Sequence, residues 1–312
     1  MKILVYHGRA ETYRALLAER FPDLEVAAGA SDEVLDCHVE DAEVLLAWRF
    51  PVNALKRARR LRWIQLTSAG VDHVLDGVAE LRAVVVTNTR GIHAELMADY
   101  AMGAMVMLQW SFPRLLRQQQ ARSWRHQYTE PLAGKTLGVV GVGAIGGEIA
   151  RRGAAAGMTV LGMRRDPRPV GGVERMFGPA ELREMLPLCD FVVLVVPATP
   201  ATRRMVGEGE LRRMRRTAFL VNVARGSVVD EPALVRALEE GWIAGAALDV
   251  FETEPLPATS PLWAMENVIV TPHIAGEPDD YPRRVMTVFE ENIRRFREGR
   301  PLVNVVDLDR GY

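Results

Sequence analysis

Short runs of apolar residues alternate along this chain with stretches whose apolar residues recur at helical spacing. Apolar runs of about four to eight residues are typical of buried strands, and a three-to-four-residue period is typical of amphipathic helices. This alternation indicates parallel sheets covered by helices on both faces. We predict strands at residues 2–6, 43–48, 61–67, 83–88, 136–142, 159–163, 191–197, 218–224, 245–250 and 268–272. We predict helices at 11–20, 52–58, 94–118 and 282–297, with others beginning near 144, 179 and 231.

The alternating elements form two series, and the second series opens with a glycine-rich turn at residues 141–146. A chain of 312 residues suffices for about two domains of roughly 150 residues each. We therefore predict an α/β protein with two Rossmann-like, doubly wound parallel-sheet domains. The dinucleotide-binding domain is expected at residues 95–277, inserted into a substrate domain formed by 1–94 and 278–312.

Composition narrows the class of protein. The formal net charge is −1, so no general attraction to nucleic acid or to a membrane is expected. Arginine-rich stretches such as residues 212–216 are interpreted as solvated helix faces. Cys37 and Cys189 lie in apolar-looking runs, so we expect two buried free thiols, with no disulfide framework and no metal site. We see no signal peptide and no run near ~20 apolar residues, so a cytoplasmic protein is expected.

The stretch "GVGAIGG" follows an apolar strand and opens a helix. In this setting a G-x-G-x-x-G spacing predicts a dinucleotide site. Gly141 permits the tight turn, Gly143 lets the backbone approach a pyrophosphate, and Gly146 lets the helix pack closely on the strand. The helix N-terminus, with Ala144 and Ile145, then faces the phosphate charge.

The stretch "MRRDP", residues 163–167, follows about 20 residues after that turn, where NAD sites usually place an acidic residue. Arg164 and Arg165 come first here. A guanidinium can pair with the 2′-phosphate of NADP, which an aspartate would repel. We predict that NADP(H) is preferred, with NAD(H) as the second cofactor. Asp166 leaves an alternative open, because a shift in register would make it the ribose ligand and leave both arginines solvated.

Polar side chains of unusual chemistry follow three downstream strands. Arg225 comes after "FLVNVA", Asp249 and Glu254 come after "GAAL", and His273 comes after "VIVTP". Open α/β sheets place their sites at the carboxyl ends of strands. Each residue alone would be interpreted as structural, but together, behind a dinucleotide turn, they predict a catalytic site.

A turn of small residues in the first series is a second candidate site. In "TSAGVD", the backbone N–H groups of Ala69, Gly70 and Val71 can bind a carboxylate. Gly70 is the residue that tolerates a close approach of the ligand.

These segments, together with "LTSAGVDHV", resemble the D-2-hydroxyacid dehydrogenase family over nearly the whole chain. The Trp of "AWRFP", the "SPLW" segment and the C-terminal "DRGY" look most like its glyoxylate/hydroxypyruvate reductase branch. The resemblance implies an oxidoreductase that reduces small 2-oxo acids to D-2-hydroxy acids with hydride from NAD(P)H. It implies that Arg225, Glu254 and His273 form the catalytic set.

The chemistry of these side chains fits the implied roles. Arg225 offers a planar guanidinium that can bind the substrate carboxylate and polarise the carbonyl oxygen. His273 would donate the proton as hydride reaches the carbonyl carbon. A histidine has an ordinary pKa of about 6.5, so a nearby carboxylate, here Glu254, is needed to keep it protonated at neutral pH. Asp249 would lie close to the nicotinamide.

The resemblance also implies the remaining site residues. Trp48 and Arg49 would line the substrate pocket, and the bulk of Trp48 favours a small substrate. The residues implied for the cofactor, beyond the glycine turn, lie mostly at strand ends: Arg164, Arg165, Val196, Pro197, Thr202, Val223, Ala224, Arg225, Asp249, His273, Ala275 and Gly276.

Two segments depart from the family pattern, namely "EPDDYPRR" at 277–284, which could reshape the pocket mouth, and Asp99, where many relatives have Glu. Two other functions stay open: a dinucleotide-sensing binding protein, such as the corepressors related to this family, and a formate or phosphite dehydrogenase. We see no added recognition segment at either end, which favours the enzyme. The resemblance further implies a homodimer through the nucleotide domain, a small 2-oxo acid as substrate, and no nucleic-acid or membrane partner.

Overall fold

The computed structural model describes all of residues 1–312. Its strands are β1 Lys2–Tyr6, β2 Glu25–Gly29, β3 Val44–Ala47, β4 Trp63–Leu66, β5 Val85–Thr87, β6 Thr136–Val140, β7 Thr159–Met163, β8 Arg175–Phe177, β9 Phe191–Leu194, β10 Phe219–Asn222, β11 Gly245–Leu248 and β12 Val268–Val270. Its α-helices are α1 Ala10–Arg20, α2 Asp32–His38, α3 Val78–Leu81, α4 Ala94–Gln109, α5 Phe112–Gln120, α6 Ala144–Ala155, α7 Leu182–Met185, α8 Glu208–Leu211, α9 Glu231–Glu239 and α10 Tyr281–Arg297.

The chain divides into two compact units, one formed by Met1–Ile92 with Pro278–Tyr312 and the other by His93–Glu277. The first unit holds a five-stranded sheet of order β2-β1-β3-β4-β5. The second holds a seven-stranded sheet of order β12-β11-β10-β9-β6-β7-β8. Every pairing between these strands is parallel. The predicted fold class, two parallel-sheet α/β domains, is confirmed.

The central strands are apolar on both faces, as sheets covered by helices on both sides require. In β9, Phe191 and Val193 pack into one apolar cluster, whereas Val192 and Leu194 pack into another on the opposite face. The five-stranded sheet follows the same rule, because alternate residues of β1 enter two different clusters. Each sheet is therefore the middle layer of its unit.

The predicted long helix at 94–118 is wrong, because the structure has two helices, α4 and α5, in that region. Ser111, between them, has a left-handed backbone with φ = 52°. Pro113 follows in the first turn of α5, where it lacks an N–H and cannot continue the preceding helix. The segment at 52–58 also differs from prediction, since Val52–Arg57 forms 3₁₀ turns rather than an α-helix.

Two strands and three helices were missed: β2, β8, α2, α3 and α8. Both strands lie at the edge of a sheet. An edge strand is covered on fewer sides, so β2 can be built from "EVAAG", in which no residue is fully buried. Such a stretch carries neither the apolar run nor the alternation that marks a central strand.

Cys37 is exposed, which corrects the expectation of two buried thiols. It lies on α2, whose single buried side chain is Leu35, so the neighbouring thiol faces outward. Cys189 is buried, and burial raises the pKa of its thiol to about 12. No helix has both the length and the apolar character that crossing a membrane requires.

Candidate active site

The turn between β6 and α6 is closely packed at two of its glycines and open at the third. Gly141 has φ = +109°, a left-handed backbone that favours glycine. A Cβ added to Gly146 would lie 2.1 Å from the carbonyl oxygen of Gly141, so only glycine lets α6 begin this close to the turn. A Cβ added to Gly143 would meet no atom within 4 Å. This open space beside the N-terminus of α6 fits the pyrophosphate of a dinucleotide.

Arg164 and Arg165 directly follow β7. Arg164 is half-buried and its backbone N–H donates to the carbonyl of Phe177 in β8 at 3.2 Å, whereas Arg165 is exposed. Asp166 pairs with Arg168, with 2.7 Å between Oδ2 and Nε. This pair engages one oxygen of an exposed carboxylate within its own loop, so the alternative of Asp166 as the ribose ligand stays open.

The other residues expected to line a cofactor follow β9, β10 and β12. After β9, the hydroxyl of Thr202 donates to the carbonyl of Pro197 at 2.6 Å and accepts from the N–H of Thr199 at 2.9 Å. These bonds fold the loop over the end of the strand, with Val196 buried beneath. The rest of this set comprises three buried residues and one half-buried glycine: Val223, Ala224, Ala275 and Gly276.

Arg225 lies in a loop that is tied back to β10. The side chain of Asn222 donates to the carbonyl of Arg225 at 3.2 Å and accepts from the N–H of Ala224 at 3.1 Å. The Arg225 side chain is half-buried, and its Nη1 donates to the carbonyl of Ala224 at 2.8 Å. The guanidinium is therefore held near the carboxyl end of the strand.

His273 and Glu254 are in direct contact, with 2.8 Å between Nδ1 and Oε2. The other carboxylate oxygen, Oε1, accepts from the N–H of Phe251 at 3.0 Å, so the carboxylate is oriented by its own loop. The His273 side chain is 45% exposed. An exposed imidazole ring thus has one nitrogen, Nδ1, bound to a carboxylate, and the role of Nε2 as proton donor stays a prediction.

Asp249 follows β11 and is only 2% exposed. Its Oδ1 accepts from the Thr271 hydroxyl at 2.6 Å and from the N–H of Ile274 at 2.9 Å. Its Oδ2 accepts from the N–H of Ala275 at 2.9 Å. Both oxygens are directed at the loop after β12, which carries His273. These bonds do not test the expected position of Asp249 beside a nicotinamide, which stays a prediction.

The turn after β4, in the first unit, is held through its carbonyl groups. The side chain of Asn88 donates to the carbonyl of Ala69 at 2.8 Å, and the hydroxyl of Ser68 donates to that of Gly70 at 2.8 Å. The N–H groups of Ala69, Gly70 and Val71 donate to no acceptor within this unit. The turn therefore presents three backbone donors that a carboxylate can use.

Trp48 and Arg49 follow β3. The Trp48 side chain is 48% exposed, so it is not an ordinary core residue. The Arg49 guanidinium carbon lies 4.8 Å from the centre of the indole ring, within cation–π range. The imidazole Nε2 of His73 lies 2.6 Å from the carbonyl oxygen of Trp48. Arg49 thus lies against the exposed indole, whereas His73 contacts the backbone that carries it.

Several residues that organise these sites were not predicted. A Cβ on Gly226 would lie 1.8 Å from the carbonyl carbon of Phe251, so this glycine lets the loop of Glu254 pack on the loop of Arg225. A glycine directly after the strand-end arginine was a signal that could have been used. Thr271 and Tyr100 gave no local signal, because they are 171 residues apart and meet only in the fold.

Comparisons with known proteins extend this description. Residues 102–275 match the family model described as D-isomer specific 2-hydroxyacid dehydrogenase, NAD binding domain. A glyoxylate reductase of Korarchaeum cryptofilum is 37% identical over 90% of this chain and 87% of its own length.

Two solved structures share the fold over nearly their full lengths. A D-isomer specific 2-hydroxyacid dehydrogenase of Xanthobacter autotrophicus, in complex with NADPH and MES, has a TM-score of 0.89 and 33% identity, covering 100% of this chain and 99% of that one. An NADPH-dependent glyoxylate/hydroxypyruvate reductase of Sinorhizobium meliloti, in complex with NADP and sulfate, has a TM-score of 0.90 and 30% identity, covering 100% and 99%. The matched family model and these neighbours indicate a nicotinamide dinucleotide as cofactor.

Proposed function

Because this chain belongs to the D-isomer specific 2-hydroxyacid dehydrogenase family, we propose that it is an oxidoreductase that reduces small 2-oxo acids, of the glyoxylate and hydroxypyruvate type, to D-2-hydroxy acids. The observation that carries the proposal is the 2.8 Å contact between His273 Nδ1 and Glu254 Oε2 at the edge of the seven-stranded sheet. The activities named for the relatives from Korarchaeum cryptofilum and Sinorhizobium meliloti support the substrate class. A bound nicotinamide dinucleotide supplies the hydride.

His273 is the proposed proton donor. Glu254 accepts the hydrogen of Nδ1, which fixes the tautomer and leaves the hydrogen of Nε2 for donation. During reduction the carbonyl carbon gains the hydride and the carbonyl oxygen gains the proton from Nε2. The carbonyl becomes an alcohol and His273 becomes neutral, so the same nitrogen accepts a proton in the reverse reaction.

Two groups are proposed to be able to bind a carboxylate, and each is described within its own unit. In the second unit, the planar guanidinium of Arg225 suits a carboxylate and can polarise the adjacent carbonyl oxygen. In the first unit, the turn at 69–71 offers backbone N–H donors for a carboxylate. The exposed indole of Trp48 would limit the room beside that turn, which favours small substituents.

NADP(H) is the proposed preferred cofactor, with NAD(H) used less well. Arg164 and Arg165 supply two positive charges after β7, and Asp166 is engaged by Arg168. A 2′-phosphate carries nearly two negative charges, and each charge-assisted hydrogen bond contributes roughly 1.5–3 kcal/mol. We therefore expect kcat/KM to favour NADPH by about 10–100-fold. Two solved neighbours that contain NADPH or NADP support this preference.

The cofactor proposal is tested by kcat/KM for NADPH and NADH with one oxo acid in two double variants. Arg164→Ala/Arg165→Ala should lose most of the preference. Arg59→Ala/Arg60→Ala removes the same two charges from the other unit and should retain it. An NADH-preferring parent, or an unaltered preference in the first variant, would show that these arginines are solvated loop residues.

The reaction class is tested with purified protein and a panel of substrates. We expect NADPH oxidation with glyoxylate or hydroxypyruvate and no NADP⁺ reduction with formate or phosphite. His273→Ala serves as the control for contaminating reductases. Activity on formate or phosphite alone would move the protein to that class, and tight NADPH binding without turnover would favour a dinucleotide sensor.

A homodimer is the proposed assembly, formed through the second unit. Aromatic side chains between α4 and β6 are exposed, namely Trp110 at 46%, Trp124 at 98% and Tyr128 at 93%. A second copy of the chain is the occupant that the family resemblance implies. Light scattering should give twice the 34.7 kDa chain mass for the parent and a single chain mass for Trp124→Glu. Trp263→Glu, at another exposed indole, is the control and should stay dimeric. A parent protein with a single chain mass would contradict the proposal.

A further inference from the structure

We propose that Tyr100 and Thr271 are positioning residues that act through the buried carboxylate of Asp249 to fix the backbone of His273. The inference rests on the proposed function of His273 as proton donor. All four residues belong to the second unit, with Tyr100 on α4 and the other three at the ends of β11 and β12.

The donors and acceptors of the hydrogen bonds that link Tyr100, Thr271 and Asp249 can be assigned. The Thr271 hydroxyl lies 2.6 Å from Asp249 Oδ1, and a carboxylate can only accept, so Thr271 donates. That donation uses the only hydroxyl hydrogen of Thr271. The Tyr100 hydroxyl, 2.7 Å from Thr271 Oγ1, must therefore be the donor of the second bond. Burial raises the pKa of Tyr100 to about 12, so it stays a neutral donor at physiological pH.

The accepting carboxylate holds the segment that contains His273. Asp249 accepts from the backbone N–H groups of Ile274 and Ala275, and its main-chain carbonyl accepts from the N–H of His273 at 2.8 Å. The segment is thus bound to Asp249 at both sides of the catalytic histidine. Asp249 is 2% exposed and forms no salt bridge. The buried carboxylate is therefore stabilised by these hydrogen-bond donors.

The backbone of His273 needs this support. Its φ of 56° lies in the left-handed region, which residues with a Cβ rarely adopt. Strained backbone persists where the surroundings determine it, and it occurs often at functional sites. Removing the hydroxyl of Thr271 would leave Asp249 Oδ1 with one donor and would loosen the segment that aims the imidazole at Glu254.

The kinetic test uses single, rescue and double variants. Thr271→Val should lower kcat about 10-fold with the Kd for NADPH unchanged, and Thr271→Ser, which keeps the hydroxyl, should stay within about twofold of the parent. Tyr100→Phe should lower kcat about threefold, and the double variant with Thr271→Val should be no worse than Thr271→Val alone. Tyr13→Phe is the matched control, because the buried hydroxyl of Tyr13 forms no hydrogen bond.

Two further measurements distinguish a positioning role of Thr271 and Tyr100 from a merely structural one. In a His273→Ala background, Thr271→Val should have no additional effect on kcat; an undiminished 10-fold loss there would overturn the proposal. The nitrogen-15 resonances of the six histidines give a readout that does not need activity. The signals of His273, assigned with the His273→Ala variant, should shift in Thr271→Val and Tyr100→Phe but not in Thr271→Ser. Unmoved signals in both would refute the proposal even if no oxo acid is reduced.

Discussion

A methyl group added to Gly143 or to Gly146 should separate cofactor binding from folding, because the two glycines have different surroundings. At Gly143 the new Cβ meets nothing within 4 Å, and the backbone φ of −103° lies outside the left-handed region that favours glycine. At Gly146 the new Cβ lies 2.1 Å from a backbone oxygen. Gly143→Ala should therefore leave the fold intact, whereas Gly146→Ala should strain the turn.

The structure sets the size of each effect. Contacts of a Cβ below 3.0 Å are essentially never seen, so Gly146→Ala must push α6 from the turn by about 1 Å. Overpacking of this kind costs roughly 1–3 kcal/mol, which lowers Tm by about 2–12 °C for a domain of this size. At Gly143 the methyl group occupies the space proposed for the pyrophosphate. The loss of one charge-assisted hydrogen bond there weakens binding by about 10–100-fold.

The assay measures Tm without cofactor and Kd for NADPH by fluorescence titration. Gly143→Ala should shift Tm by no more than about 1 °C and raise Kd 10–100-fold. Gly146→Ala should lower Tm and raise Kd together. Gly103→Ala, at an exposed position of α4 where the new Cβ also meets nothing, is the matched control and should retain the parent Kd.

Two results would refute this reasoning. If Gly143→Ala binds NADPH as tightly as the parent, the open space beside α6 does not hold the pyrophosphate. If Gly146→Ala keeps the parent Tm, the helix can move away from the turn at no cost, and the close approach to Gly141 is not what requires glycine there.

Other predictions concern catalysis and pH. His273→Ala should lower kcat for oxo-acid reduction about 10²–10⁴-fold with NADPH binding retained, and an unchanged kcat would remove this residue from the mechanism. Arg225→Lys keeps the charge but not the planar guanidinium, so both KM and kcat should worsen; parent-like values would exclude bidentate binding. Hydrogen bonds from Arg151 and Arg152 lower the pKa of Glu148 to about 2, so its stabilisation is present above its ordinary value near 4.5 and is lost as pH falls toward 2. Denaturant titrations should therefore show Glu148→Gln less stable than the parent at pH 6, with a difference that shrinks toward pH 2; a constant difference would contradict this.

The sequence predicted the central strands because they are buried on both faces, and such strands must be continuous apolar runs. "FVVL" in β9 and "VLLA" in β3 are fully buried and were found. The edge strands β2 and β8 were not predicted, because a strand with one open side tolerates small and charged residues. The break between α4 and α5 could have been predicted from Pro113, which ends a helix through local sterics alone.

At the candidate site, too, only those roles that depend on nearby residues could be predicted from the sequence. Gly141 and Gly146 could be interpreted from the local sequence, since the left-handed backbone of Gly141 and the contact of a Cβ on Gly146 with the Gly141 carbonyl arise within six residues of chain. Asp249 was expected to act through its charge near the cofactor, because an acid beside a catalytic set is all that the sequence displays. Its place beside the cofactor stays a prediction, but its carboxylate also binds donors from residues 22 to 26 positions further along the chain, which the sequence did not indicate. What a buried carboxylate does depends on which donors the fold brings to its two oxygens, and here those donors all lie in the segment that carries His273.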